Sequence, residues 1–113
     1  MFPESESVTD LLTLTERHDG QTVVIALRGE ADLASAPRIG ERVRELLASG
    51  ERRVQVDLTE VGFLDSTAVG VLLRARREAV GAGVPFDVVC PEGPARRVLH
   101  LLGLLPAFGL AAG

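Results

Sequence analysis

This 113-residue chain contains no lysine; all 12 of its basic residues are arginine. That absence removes the phosphate-cradling lysine of a P-loop and any Schiff-base or lysine-nucleophile chemistry. Cysteine is nearly absent as well. Cys90 stands alone in an apolar run, so no internal disulfide can form, and its side chain reads as core rather than as a reactive thiol. The two histidines, His18 and His100, are far apart with no cysteine at ligand spacing, and neither a metal site nor a cofactor is expected. No apolar run approaches membrane-spanning length. The opening stretch from Met1 to Ser7 is acidic and lacks the apolar centre of a signal peptide, so a reducing, cytoplasmic location without a membrane span is expected. A formal charge of −4 lacks the basic surplus that non-specific nucleic-acid binding requires.

What is present is ordinary globular composition, 46% apolar and 25% charged, in a length that suits one domain. Residues 1–7 and the tail 111–113 are expected to be loose, with the domain over 8–110. Val8 to Arg17 and Gln21 to Arg28 are apolar-rich runs separated by His18-Asp19-Gly20, a hairpin signal. Val23 to Leu27 is continuously apolar, which predicts a strand covered on both faces. Gly29 to Ala34 reads as a loop. Ser35 then caps a helix over 36–49, with Pro37 in its first turn and Ile39, Val43, Leu46 and Leu47 on one face.

Val54, Val56 and Leu58 alternate with polar residues as a strand, and Val61 to Leu64 leads to a second helix reaching about Val80. Pro85 to Cys90 predicts a short buried strand, Pro94 to Gly103 a third helix, and Leu104 to Leu110 a last short strand. The Arg74, Arg76 and Arg77 cluster reads as a solvated helix face. The order predicts a small single-domain α/β fold: a mixed, mostly parallel sheet with an N-terminal antiparallel hairpin and three crossover helices.

The most informative stretch is Asp65-Ser66-Thr67-Ala68-Val69-Gly70, which places two hydroxyls between an apolar strand and a helix. A helix start carries unpaired N–H groups and partial positive charge, so a phosphoryl group on a hydroxyl there would be tolerated and conspicuous to a partner. The alternative is that Asp65 or Ser66 simply caps the helix. Gly70 inside the helix costs about 1 kcal/mol relative to alanine, which predicts close approach of another backbone, within the fold or from a partner.

Gly29-Glu30-Ala31-Asp32 with Ser35-Ala36-Pro37, then Val56-Asp57-Leu58-Thr59-Glu60-Val61 leading into Leu64 to Gly70, together resemble the STAS family, most nearly its bacterial anti-sigma factor antagonists. The likeness spans nearly the whole chain. It implies that Ser66, directly after the aspartate of this turn, is the residue phosphorylated by a cognate anti-sigma factor that is itself a serine kinase; Thr67 is the lesser candidate. It also implies that the unphosphorylated protein binds that kinase and frees a sigma factor in stress or sporulation signalling, that a Ser/Thr phosphatase reverses the modification, and that the domain is not an enzyme.

Where the commonest motif has Ser-Ser-Gly-Leu-Gly this chain has Ser66-Thr67-Ala68-Val69-Gly70, and Ala68 adds a methyl group where a partner backbone would come close. Relatives carry a further C-terminal helix, which implies a smaller C-terminal surface here.

Two more aspartates are ambiguous. Asp32 either holds the turn before the first helix or lies near Ser66 and orients the hydroxyl or incoming phosphoryl group. Asp57 either ties down the Thr59 turn or faces the partner. A second functional class keeps the fold but makes the domain a constitutive STAS subunit of a signalling scaffold or lipid-transport complex, with Ser66 only a cap. A third, a small nucleotide-binding or hydrolytic domain, predicts a pocket at the Ser66 helix start. The switch reading predicts an exposed Ser66 hydroxyl beside an apolar patch.

Overall fold

The computed structural model describes the backbone of residues 5–9 and all of residues 11–111. Five strands, β1 (Ser5–Thr9), β2 (Leu12–Asp19), β3 (Thr22–Ala31), β4 (Arg53–Leu64) and β5 (Phe86–Val89), form one sheet in sequence order. The β1–β2 and β2–β3 pairs are antiparallel; β3–β4 and β4–β5 are parallel. Helix α1 (Ala36–Ala48) joins β3 to β4, α2 (Ser66–Gly81) joins β4 to β5, and α3 (Pro94–Leu101) follows β5. This is the expected mixed α/β fold with an N-terminal hairpin.

Register makes the core one-sided. Leu14, Leu27 and Glu16, Ile25, Val56, Val88 line up across the sheet, as do Val23, Val54 and Phe86. All lie on the side where α1 and α2 pack together, and the hydrophobic ones are under 10% exposed. Val24, on the other side, is also buried, but Ala26 is half-buried and Arg28 exposed on that face, so the second face of β3 is covered only in part where its continuous apolar run predicts full cover. The hairpin turns at Gly20-Gln21, between the paired Asp19 and Thr22, with Gly20 at φ +63°.

Three expectations are corrected. Ser5 to Ser7 are not loose but belong to β1, because the run beginning at Val8 divides into two strands, each finding a backbone partner in the other; residues 1–4, 112 and 113 of the expected loose ends lie outside the described residues.

Gly29 to Ala31 are strand, not loop. β4 runs on to Leu64 and supplies partners for them, with register irregularities that only a permissive backbone absorbs. Gly29 sits at φ +104°, and a Cβ there would lie 2.1 Å from the Leu11 carbonyl oxygen.

Leu104 to Leu110 form no strand. Pro106, lacking an N–H for a ladder, opens a short 3₁₀ turn (Pro106–Phe108) that buries Leu105 and Phe108 three residues apart. β5 pairs with β4 as far as Asp57, and α3 packs against β4.

Candidate functional site

The C-terminal ends of β3 and β4 lie side by side, Ala31 opposite Leu64, so the two loops that leave them meet above the sheet. Asp65, at the N-cap of α2, has extended backbone, and its Oδ1 accepts the Ala68 N–H at 2.9 Å. Its Oδ2 accepts the Leu33 N–H at 3.0 Å, and its own N–H donates to the Ala31 carbonyl at 3.1 Å. Asp65 therefore caps α2, as one sequence reading held, and also ties α2 to the β3–α1 loop.

That loop is braced from within. Asp32 Oδ1 accepts the N–H groups of Ala34 (3.0 Å) and Ser35 (3.1 Å). Ser35 is fully buried; its hydroxyl accepts the Asp32 N–H at 3.0 Å and has the Glu30 carbonyl and Asp32 Oδ1 as acceptors, each at 3.1 Å. Ser35 stands at the N-cap of α1 without capping it by its side chain, because the hydroxyl is committed to the turn. Backbone bonds from Ser35 hold the Asp32 carboxyl below its ordinary range, against a smaller opposing effect of burial. This is the turn-holding role for Asp32; its bonds go to its own loop and none to Ser66.

Ser66 is exposed at the first position of α2, and among the described residues no hydrogen bond engages its hydroxyl. Thr67 is half-buried. Two exposed apolar residues that the sequence did not single out lie close to Ser66 in bonding or in chain: Leu33, 71% exposed and bonded through its N–H to the preceding Asp65, and Phe63, 48% exposed three residues before it near the end of β4. Leu11 is exposed too, and its carbonyl accepts the N–H of Glu30, the β3 partner of Phe63. Nothing in period-two reading reveals Phe63 as outward, since the irregular register before it breaks the alternation.

Of the other nominated residues, Ala68 stands differently from expectation, Gly70 keeps one of its two readings and Asp57 takes the turn-holding one. Ala68 is fully buried, so its methyl group faces the core rather than a docking backbone. Gly70 has open space where a Cβ would go, so no close approach within the described fold accounts for it. Asp57 is not brought to Ser66: it lies eight residues back along β4 from Asp65, roughly 26 Å at strand rise, and its Oδ1 accepts both the N–H and hydroxyl of Thr59. It ties the Thr59 turn.

Arg74, Arg76 and Arg77 are exposed or half-exposed on α2, and Cys90 is buried with its thiol pushed up by burial. A cleft of about 270 Å³ runs along α3, lined by Glu92, Gly93, Arg96, Arg97, His100 and Leu105, none of them from the Ser66 turn. Among the described residues no three His, Cys, Asp or Glu side chains are grouped to hold a metal, and no helix is long and apolar enough to cross a membrane.

Set against known proteins, residues 14–105 match the family described as "Mlab, STAS domain". The anti-sigma-F factor antagonist RsfB of Mycobacterium tuberculosis is 34% identical over 104 residues, covering 92% of this chain and 84% of that one. An anti-sigma factor antagonist from Mycobacterium paratuberculosis superposes with a TM-score of 0.77 at 27% identity, over 90% of this chain and 86% of the other. The Bacillus cell fate determinant SpoIIAA in its phosphorylated form gives 0.66 at 25% identity, over 88% and 91% of the two chains. Matched over most of its length in both sequence and fold, the chain belongs to the STAS domain family.

Proposed function

We propose that this domain is an anti-sigma factor antagonist that works by partner switching, with Ser66 as its phosphorylation site. The observation that carries the reading is an exposed Ser66 hydroxyl, unengaged among the described residues, at a capped helix N-terminus whose cap residue also holds the exposed Leu33. A phosphoacceptor must reach a kinase active site, and a hydroxyl already bonded inside the fold does not. The names of RsfB, of the Mycobacterium paratuberculosis antagonist and of phosphorylated SpoIIAA support the same reading.

In this reading the unphosphorylated domain docks its apolar rim against an anti-sigma factor that is a serine kinase, and the sigma factor is released. Transfer of a phosphoryl group to Ser66 adds about −1.5 to −2 charges. The α2 N-terminus tolerates that charge, so the fold survives. A partner surface closing over it does not, unless it offers an arginine, because an unpaired dianion buried in an interface costs several kcal/mol. A loss of about 3 kcal/mol already weakens binding more than a hundredfold. A Ser/Thr phosphatase restores the binding form. The domain is substrate and partner here, not enzyme.

The test is intact-mass and peptide mass spectrometry after incubation with ATP and candidate anti-sigma kinases. One phosphate on Ser66, absent in Ser66→Ala, with loss of kinase binding on modification, supports the switch. No modification by any kinase tested, together with stable co-purification in a complex, replaces it with a constitutive structural subunit.

A further inference from the structure

The geometry assigns Asp65 a role beyond capping: it is the positioning residue that fixes Leu33 beside Ser66, so that docking and phosphoryl acceptance share one rigid surface. This rests on the switch reading for its functional consequence, but its structural part stands independently.

Three bonds carry it. A helix cap needs one acceptor, and Asp65 Oδ1 supplies it to the Ala68 N–H. The second oxygen accepts the Leu33 N–H from a loop 32 residues away in sequence, and the Asp65 N–H meets the Ala31 carbonyl at the end of β3. One residue thus joins β3, the β3–α1 loop and α2. The chemistry demands a carboxylate. Serine, threonine and asparagine all cap helices well, yet serine and threonine carry one side-chain oxygen, and asparagine carries one acceptor and one N–H₂ donor. With either N–H taken by the asparagine oxygen, its amide nitrogen would face the other N–H, donor against donor. Among these capping side chains only aspartate presents a separate acceptor oxygen to each N–H, the arrangement seen here.

Leu33 depends on that second bond. Its side chain is 71% exposed, so packing does not hold it. The Asp32–Ser35 network stiffens the turn internally, but those bonds reach only Glu30 and the turn itself, none of them α2. The side-chain bond from the turn to the α2 cap is Asp65–Leu33, beside the backbone bond from the Asp65 N–H to the Ala31 carbonyl at the turn's base. With the side-chain bond, an apolar anchor stands at a fixed place relative to the hydroxyl; without it, the turn remains formed and anchored at its base by the Ala31–Asp65 backbone bond, but its Leu33 tip is freer to shift against α2.

The test uses Asp65→Asn and Asp65→Ser, both of which retain a cap acceptor. In amide hydrogen exchange, protection at Leu33 is expected to fall about tenfold or more, the scale of one lost charge-assisted bond, while Ala68 stays within about threefold. With the kinase that modifies wild-type Ser66, KM is expected to rise about fivefold or more with kcat within about twofold, because the acceptor is intact and only docking is loosened. Unchanged Leu33 protection in both variants would overturn the positioning role. Lost protection with unchanged KM would overturn its functional half. Failure to find a kinase for wild-type Ser66 would remove the switch reading while the exchange result still decides whether Asp65 holds Leu33.

Discussion

Glu16, on the helix-facing side of β2 and 7% exposed, is held by a two-point bond from Arg42 of α1, with Nη2 to Oε1 at 2.8 Å and Nε to Oε2. A charge in the row occupied by Ile25 and Val56 is tolerated only because the guanidinium matches both carboxylate oxygens. Arg42→Ala should cost about 3 kcal/mol or more in urea unfolding, since it leaves a buried carboxylate unpaired. Glu16→Gln should cost less, because Arg42 is 28% exposed and keeps Glu45 at 3.1 Å. The bond to Glu16 pushes the guanidinium further up from its ordinary value. A raised folded-state value contributes stability that is fully present below the unfolded value, so this contribution should be flat through neutral pH.

Gly29→Ala should be strongly destabilising. The position combines φ +104° with a backbone oxygen 2.1 Å from the added carbon, so the β2–β3 end must shift or open. A loss of about 2 kcal/mol or more in chemical denaturation is expected, on the scale of a strained backbone conformation. Gly20→Ala, at a turn with free space around it, should lose less.

Gly70→Ala should do the opposite to stability. Its φ is not left-handed and a Cβ there meets nothing, so the helix gains about 1 kcal/mol of propensity. Gly70 lies one turn beyond Ser66 on α2. If a partner backbone comes close there, the stabilised variant should bind the anti-sigma factor at least about tenfold more weakly; equal binding by calorimetry would show that the glycine serves no contact.

Asp32 gives the domain an acid-sensitive loop. Its carboxyl is held below the ordinary 3.8, chiefly by the Ser35 backbone bond. A depressed folded-state value means stability that is present above 3.8 and lost as pH falls through the folded value. NMR titration should place its midpoint under the ordinary aspartate value, and Asp32→Asn should flatten the acid limb of the unfolding curve. A midpoint at or above 3.8 would show that these bonds do not favour the charged form.

The sequence by itself determined the alternation of strands and helices, because the Asp19-Gly20 turn, the Ile39 to Leu47 stripe and the period-two run Val54 to Leu58 are local patterns with local causes. It also determined that Asp65-Ser66 opens a helix, since capping chemistry is written within four residues. Tertiary structure decided what local pattern does not encode. Gly29 to Ala31 became strand because β4 extends alongside them, and residues 104–110 form no strand but enclose a 3₁₀ turn over Pro106–Phe108, because Pro106 cannot donate to a ladder. Whether Asp32 and Asp57 serve their own turns, and whether Leu33 stands beside Ser66, depended on which groups distant segments bring within hydrogen-bond reach. Bonds of that kind, such as Asp65 to Leu33 across 32 residues, exist only once the sheet has set two loops side by side.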